Sequence, residues 1–481
     1  MMQPKLRPDQ RAIVDAALDA VTNKTSFRRV LYGNMGSGKT RAAIEAAHTF
    51  VSTSSPDMPS NILVVAPTRV AKEAWAKELT ARGLPFVILA GRPQAQLTHG
   101  LEQDVPFRFV VIAPGQLPHF RNLTLRMLRD VWRIGALIID ELSMYRAVGS
   151  ERVRTLRKLP ERLPFVLGLT GTPVSENSFG WYAMMLCIDA GLTLGTRKDN
   201  FASAYFVVRD WQKGDPTEMR EGGAEALAAK LAPVIHSLED RRAELLPVQF
   251  VTEPRRLPED VQVMHDTMAK QFVLEYTDLE GNARVAEAAN SAVLMSKLLQ
   301  LASGVTYIED GEAFDEFDDT RIQTAVKIAI DYIQRIKRPL LVAYTLRADA
   351  LRFRELLGEW SLSQHPLITM PTEDKDCLDL FGPPGAPGKR PIILTHPRSL
   401  GHGVNLQGVC RDVLWIAPTW SRELTDQFNA RVWRTGQDEQ VTVTTIVMEG
   451  TADDMVVQRL EDKATYDDAF RSHLSAIRGP G

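Results

Sequence analysis

Two sets of short apolar runs constrain this chain more than any other feature. The first set is NILVVAP (61–67), FRFVVIAP (107–114), ALIID (136–140) and FVLGLT (165–170). The second is PLLVAY (339–344), PIILTH (391–396), DVLWIAP (412–418) and VTVTTIVM (441–448). Strands that are apolar on both faces and alternate with helical stretches belong in parallel sheets covered by helices on each side. TRVAKEAWAKELTARG (68–83) reads as one such helix, closed by Gly83. The expected fold class is therefore α/β, with two parallel-sheet domains, because 481 residues exceed what one core usually holds. The domains are expected at 1–178 and 321–481. Between them, over 179–320, the strand signal fades and stretches such as GGAEALAAKLAPV and ANSAVLMSKLLQLA predict a mainly helical insertion. The acidic stretch YIEDGEAFDEFDD (307–319) reads as a solvated loop.

Charge adds little to the search for partners. A net charge of −3 gives no global attraction to nucleic acid, so any such binding needs a local basic track. Three widely spaced cysteines, Cys187, Cys377 and Cys410, argue against a disulfide framework or a cysteine-rich metal site. MMQPKLRPDQ contains no apolar signal segment and no run approaches membrane-spanning length, so a cytoplasmic protein with no membrane partner is expected.

GNMGSGKT (33–40) follows the apolar RRVLY and opens the helical RAAIEAAHTF. Gly33, Gly36 and Gly38 let the backbone approach phosphate oxygens closely, with Met35 and Ser37 between them. Lys39 suits β and γ phosphates, and the Thr40 hydroxyl suits Mg²⁺. An acidic partner should follow another parallel strand, and ALIIDE supplies Asp140 for the ion and Glu141 for the attacking water. ATP and Mg²⁺ are the implied ligands.

Far downstream, QFNARVWRTGQ (427–437) puts Gln427, Arg431 and Arg434 on one stripe of a helix predicted to start at Ser421 and stop at Gly436. Leu424, Phe428 and Val432 form the neighbouring apolar stripe. Alone, the polar stripe reads as a solvated basic face.

Asp-Glu beside a phosphate loop, then LTGTP (169–173), resembles a superfamily-2 helicase motor. LRPDQ (6–10) is similar to that group's adenine-sensing start, with Arg7 and Gln10 at the nucleotide. THPRSLGHGVNLQG (395–408) and APTWSRELTDQFNARVWRTGQ (417–437) resemble motifs V and VI of the Swi/Snf-like group, and Leu299–Gly304 resembles a segment of its compact phage- and prophage-encoded members. The resemblance covers nearly all of the chain. It departs at Leu142 and Ser143, where the group usually has Ala-His.

The resemblance implies two RecA-like domains (a P-loop NTPase tandem) with ATP in the cleft between them. It makes Arg431 and Arg434 arginine fingers and adds Gly403 to the ATP site. Thr170, Gly171, Thr172 and Gln427 would couple nucleotide state to motion. Thr68, Arg69, Pro114, Gly115, His396 and Arg398 would grip nucleic-acid phosphates. A basic run, Arg152, Arg154, Arg157 and Lys158, reads as a solvated helix face, and Trp415, Trp420 and Trp433 as packing residues.

The implied activity is a DNA-dependent ATPase that translocates on duplex or forked DNA as a monomer, with phage or host replication and recombination proteins as possible partners, in a bacterial cytosol. Rivals are a strand-separating helicase acting on DNA or RNA, and a nucleotide-dependent clamp without turnover. The complete set Lys39, Thr40, Asp140, Glu141, Arg431 and Arg434 favours catalysis.

Overall fold

The computed structural model describes residues 5–55, 57–90, 109–120, 132–171, 178–208, 218–240, 244–277, 283–287, 291–308, 313–336, 338–361, 368–369, 391–399 and 406–461. It has two compact units, one holding the described residues up to Asp240 and the other those from Glu244.

The first unit is a parallel sheet of β1 (Phe27–Tyr32), β2 (Asn61–Val65), β3 (Phe86–Ile88), β4 (Phe109–Ile112), β5 (Ile134–Ile139), β6 (Phe165–Thr170) and β7 (Ile235–Ser237). Their order across the sheet is β3-β4-β2-β5-β6-β1-β7. Alternate side chains feed two cores, as period-2 geometry requires. Leu63, Val65, Leu137 and Ile139 enter one face; Ile62, Val64, Ala136 and Ile138 enter the other. Each fully buried aliphatic side chain contributes about 1.5–3 kcal/mol.

The second unit carries β8 (Gln249–Arg255), the hairpin β9 (Val273–Thr277) and β10 (Ala283–Glu287), and the small pair β11 (Val305–Tyr307) and β12 (Phe314–Glu316). Then come β13 (Leu340–Ala343), β14 (Ile368–Thr369), β15 (Ile392–Thr395), β16 (Asp412–Trp415) and β17 (Thr442–Met448). The main sheet here is also parallel, ordered β14-β15-β13-β16-β17-β8. Leu340 and Val342 face one core, Leu341 and Ala343 the other.

The division between the two units falls inside the region 179–320, where helices stand in sequence between the two main sheets. The helix Gly180–Asp189 is buried at every residue, so it needs a core on all sides, and the first unit provides it. Phe179 packs edge-on against Phe201 and Phe206 beside it. β7 then pairs with β1, ending the first unit at the strand that carries the phosphate loop. β8 pairs with β17 and opens the second. Among its described residues the region also holds six strands or hairpin arms, β7 to β12, where the sequence showed almost none.

Among the described residues of the acidic stretch, Phe314–Glu316 form β12 and the Asp318 carbonyl joins a buried network. Arg321 pairs with Asp453, both essentially inaccessible. Arg352 donates to the carbonyl oxygens of Ser303 (2.9 Å) and Asp318 (2.5 Å). Gly304, at φ +69°, could carry no Cβ there, since one would lie 2.0 Å from the Asp318 carbonyl oxygen. Among the described residues no helix is long and apolar enough to cross a membrane.

Candidate functional site

In both units most of the expected functional residues follow the carboxyl ends of parallel strands, the edge where open α/β sheets bind ligands. In the first unit the phosphate loop leaves β1 and opens the helix Lys39–Thr53. No side chain caps that helix, and its N-cap Gly38 is left-handed at φ +83°. The first-turn N–H groups thus remain available to an anion.

The loop is a backbone cradle. A Cβ on Gly33 would fall 2.5 Å from Ser37 Oγ, and one on Gly38 only 2.3 Å from Gln10 Nε2. Lys39 Nζ donates to the carbonyl oxygens of Gly33 and Asn34, holding its charge at the loop's mouth. Gly33 N–H donates to the Thr170 carbonyl at 3.2 Å, and a Cβ on Gly171 would lie 3.6 Å from Lys39 Nζ. The structure therefore brings Thr170 and Gly171 to the loop. Thr172 and Gly403 lie outside the described residues.

Arg7 and Gln10 brace the far limb of the cradle. Arg7 donates to the Ser37 carbonyl at 2.9 Å, and the buried Gln10 amide reaches the Ser37 and Gly38 carbonyls at 3.4 Å. Asp9 ties Arg7 (2.8 Å) to the Glu239 N–H (2.9 Å). Burial pushes the Asp9 carboxyl up, but these partners outweigh it and hold it below its ordinary range.

Asp140 and Glu141 follow β5. Asp140 is 6% exposed; its Oδ1 accepts from the Glu141 N–H at 3.0 Å and its Oδ2 from Trp75 Nε1 at 2.8 Å. Glu141 sits in the left-handed region at φ 51°, a conformation that costs a non-glycine residue about 1–3 kcal/mol. Trp75 carried no functional signal in the sequence beyond being the one aromatic in a charged helix.

That helix begins at Thr68 after β2, and Arg69 pairs with Glu73 at 3.0 Å. Pro114 and Gly115 follow β4, and Gly115 has open space around it. The run Arg152, Arg154, Arg157 and Lys158 is exposed, as expected.

In the second unit, Ser421 caps the helix Arg422–Asn429 by accepting from the Leu424 N–H. The helix ends there, so the expected stripe through Gly436 is corrected: Arg431 and Arg434 lie in turns beyond it. Phe428 and Val432 are buried as expected, Trp415 stacks edge-on with Phe428, and Trp415 Nε1 donates to Asn429 Oδ1. Arg431 is 6% exposed. Burial also draws the Arg434 guanidinium below its ordinary pKa. Gln427 donates to Glu423 at 3.2 Å. After β15, His396 Nδ1 accepts from the Arg398 N–H at 3.2 Å.

Residues 7–178 match the family described as DEAD/DEAH box helicase, which takes in β1 to β6 and the phosphate loop. Putative protein p41 of Acyrthosiphon pisum secondary endosymbiont phage 1 is 26% identical over 96% of this chain and 97% of its own length. The Danio rerio DNA repair and recombination protein RAD54-like is 21% identical over 95% of this chain. The chain is thus similar, over almost its whole length, to a phage protein and to a protein named for DNA repair and recombination. It spans 66% of the length of that RAD54-like relative. A Sulfolobus solfataricus SWI2/SNF2 ATPase core in complex with dsDNA aligns over all of this chain and 96% of its own, at 17% identity and a TM-score of 0.41.

Proposed function

We propose that this chain hydrolyses ATP and uses the cycle to translocate on duplex DNA, remodelling replication or recombination intermediates, as a phage- or prophage-encoded motor. The observation that carries this reading is the shared sheet edge in the first unit. There Lys39, Thr170 and Gly171 meet at one backbone cradle, and the buried Asp140 follows a strand of the same sheet. Relatedness to a protein named for DNA repair and recombination supports DNA as the track.

In this mechanism Lys39 leaves the loop carbonyls for the β and γ phosphates, and the first-turn amides of its helix bind the remaining oxygens. A magnesium ion arriving with the nucleotide would be held by Thr40 and Asp140 and would neutralise phosphate charge. Glu141 orients the attacking water and takes its proton. Arg431 and Arg434 neutralise the transferring phosphoryl group, a role generally worth about 10³–10⁵ in rate. Thr68, Arg69, Pro114, Gly115, His396 and Arg398 grip the DNA backbone, which makes binding sequence-tolerant and salt-sensitive.

The test is ATP turnover without nucleic acid and with single-stranded DNA, duplex DNA, forked DNA or RNA, with Lys39→Ala as control. Duplex or forked DNA should stimulate most. Stimulation by RNA alone would overturn the proposal.

A further inference from the structure

Trp75 ends an unusual turn. Residues Ala71–Trp75 form a π turn inside the helix that starts at Thr68, with the Ala76 N–H reaching back to the Ala71 carbonyl. One extra residue in a turn rotates the downstream side chains by about 100° relative to regular α-helix, and such turns recur at functional sites. Here the turn delivers a fully buried indole to the end of a neighbouring strand. Trp75 Nε1 donates to Asp140 Oδ2 at 2.8 Å, across 65 residues of sequence.

A buried indole N–H needs an acceptor, but an apolar core usually supplies a neutral carbonyl. This one takes a carboxylate oxygen, while the Glu141 N–H holds the other. A donor on each oxygen fixes the plane of the carboxylate. Groups that orient an ion-holding side chain in this way generally set its affinity, and their loss costs about 10–100-fold.

We propose that Trp75 is a positioning residue for the magnesium–nucleotide complex: its indole N–H orients the Asp140 carboxylate toward the ion. The inference rests on the reading of Asp140 in the proposed function. It makes Trp75 more than core filling, and it explains why a charged helix carries one buried indole.

Trp75→Phe keeps most of the ring and removes the donor. The full-length variant should bind a fluorescent ATP analogue like wild type in EDTA, yet need about 10-fold or more higher Mg²⁺ for half-maximal binding and turnover. Trp75→His, which keeps a ring N–H, should recover part of that response. Equal Mg²⁺ titrations for Trp75→Phe and wild type would overturn the proposal, as would an equal loss of binding with and without Mg²⁺. In wild-type protein labelled with ¹⁵N at its indoles, adding Mg²⁺ to the analogue complex should move an indole N–H resonance; no response from any indole would overturn the proposal without relying on a variant. A wild-type chain whose nucleotide binding ignores Mg²⁺ would overturn the nucleotide reading as well.

Discussion

The backbone N–H of Leu406 donates to the carbonyl oxygen of Arg431 at 2.9 Å. A continuing helix would offer that carbonyl to the amide four residues on, so this bond marks where regular helix has given way. Gln437 Nε2 braces the same turn through the carbonyl oxygens of Cys410 (3.1 Å) and Val432 (3.4 Å). Arg431 and Arg434 are therefore presented by a tied-down turn, which holds a side chain more firmly than a fraying helix end.

From this, Arg434→Ala should lower kcat by about 10³-fold while ATP binding changes by no more than a few-fold. Steady-state turnover and equilibrium binding of an ATP analogue separate the two. Weakened binding with normal turnover at saturation would remove Arg434 from the chemistry.

Gly38 faces two constraints at once, a left-handed backbone and the Gln10 amide 2.3 Å from where a Cβ would stand. Gly38→Ala should therefore cost about 1–3 kcal/mol of stability and abolish most nucleotide affinity. Adding Gln10→Ala relieves the contact but not the φ angle, so urea midpoints should recover only in part. Full recovery would mean that the backbone conformation is not limiting.

The phosphate loop was legible in the sequence because strand, glycines, lysine and helix are consecutive, and the central strands because burial on both faces leaves an unbroken apolar run. β7 and β8 were not: IHS is three residues long, and QFVTEPR is a half-exposed edge carrying Glu253, Pro254 and Arg255. The turn after Asn429 was not legible either, because periodicity cannot see Leu406, the distant partner of the Arg431 carbonyl. Trp75 escaped because a π turn breaks the 3.6-residue count that would have assigned its face.

Asp349 is wholly buried among Arg321, Arg352, Asp453 and Ser303, and burial pushes its carboxyl from an ordinary 3.8 up to about 6 despite the two arginines. The folded chain thus retains a proton between about pH 4 and 6 that the unfolded chain has released. The carboxyl's contribution to stability is greatest below about pH 4 and is lost as pH rises through 6. Asp349→Asn should flatten this part of the stability profile, so the wild type loses stability relative to the variant as pH rises from 4 to 6. Parallel profiles from denaturant melts across that range would show that Asp349 does not titrate there.

His396 and Arg398 offer a sharper test of the nucleic-acid track. Burial and the nearby Arg398 hold the His396 pKa below its ordinary value, and its Nδ1 already accepts the Arg398 N–H. At pH 7.5 His396 is thus neutral and releases no counterion on meeting a phosphate. Arg398 is exposed, and a guanidinium keeps its charge in proteins. Each neutralised phosphate contributes about 0.9 to the slope of log K against log salt on duplex DNA. Arg398→Ala should therefore lower that slope by about 0.9, whereas His396→Ala should weaken binding at every salt concentration without changing it. Fluorescence anisotropy on a labelled duplex from 50 to 300 mM salt distinguishes the two, and an unchanged slope for Arg398→Ala would take Arg398 off the DNA.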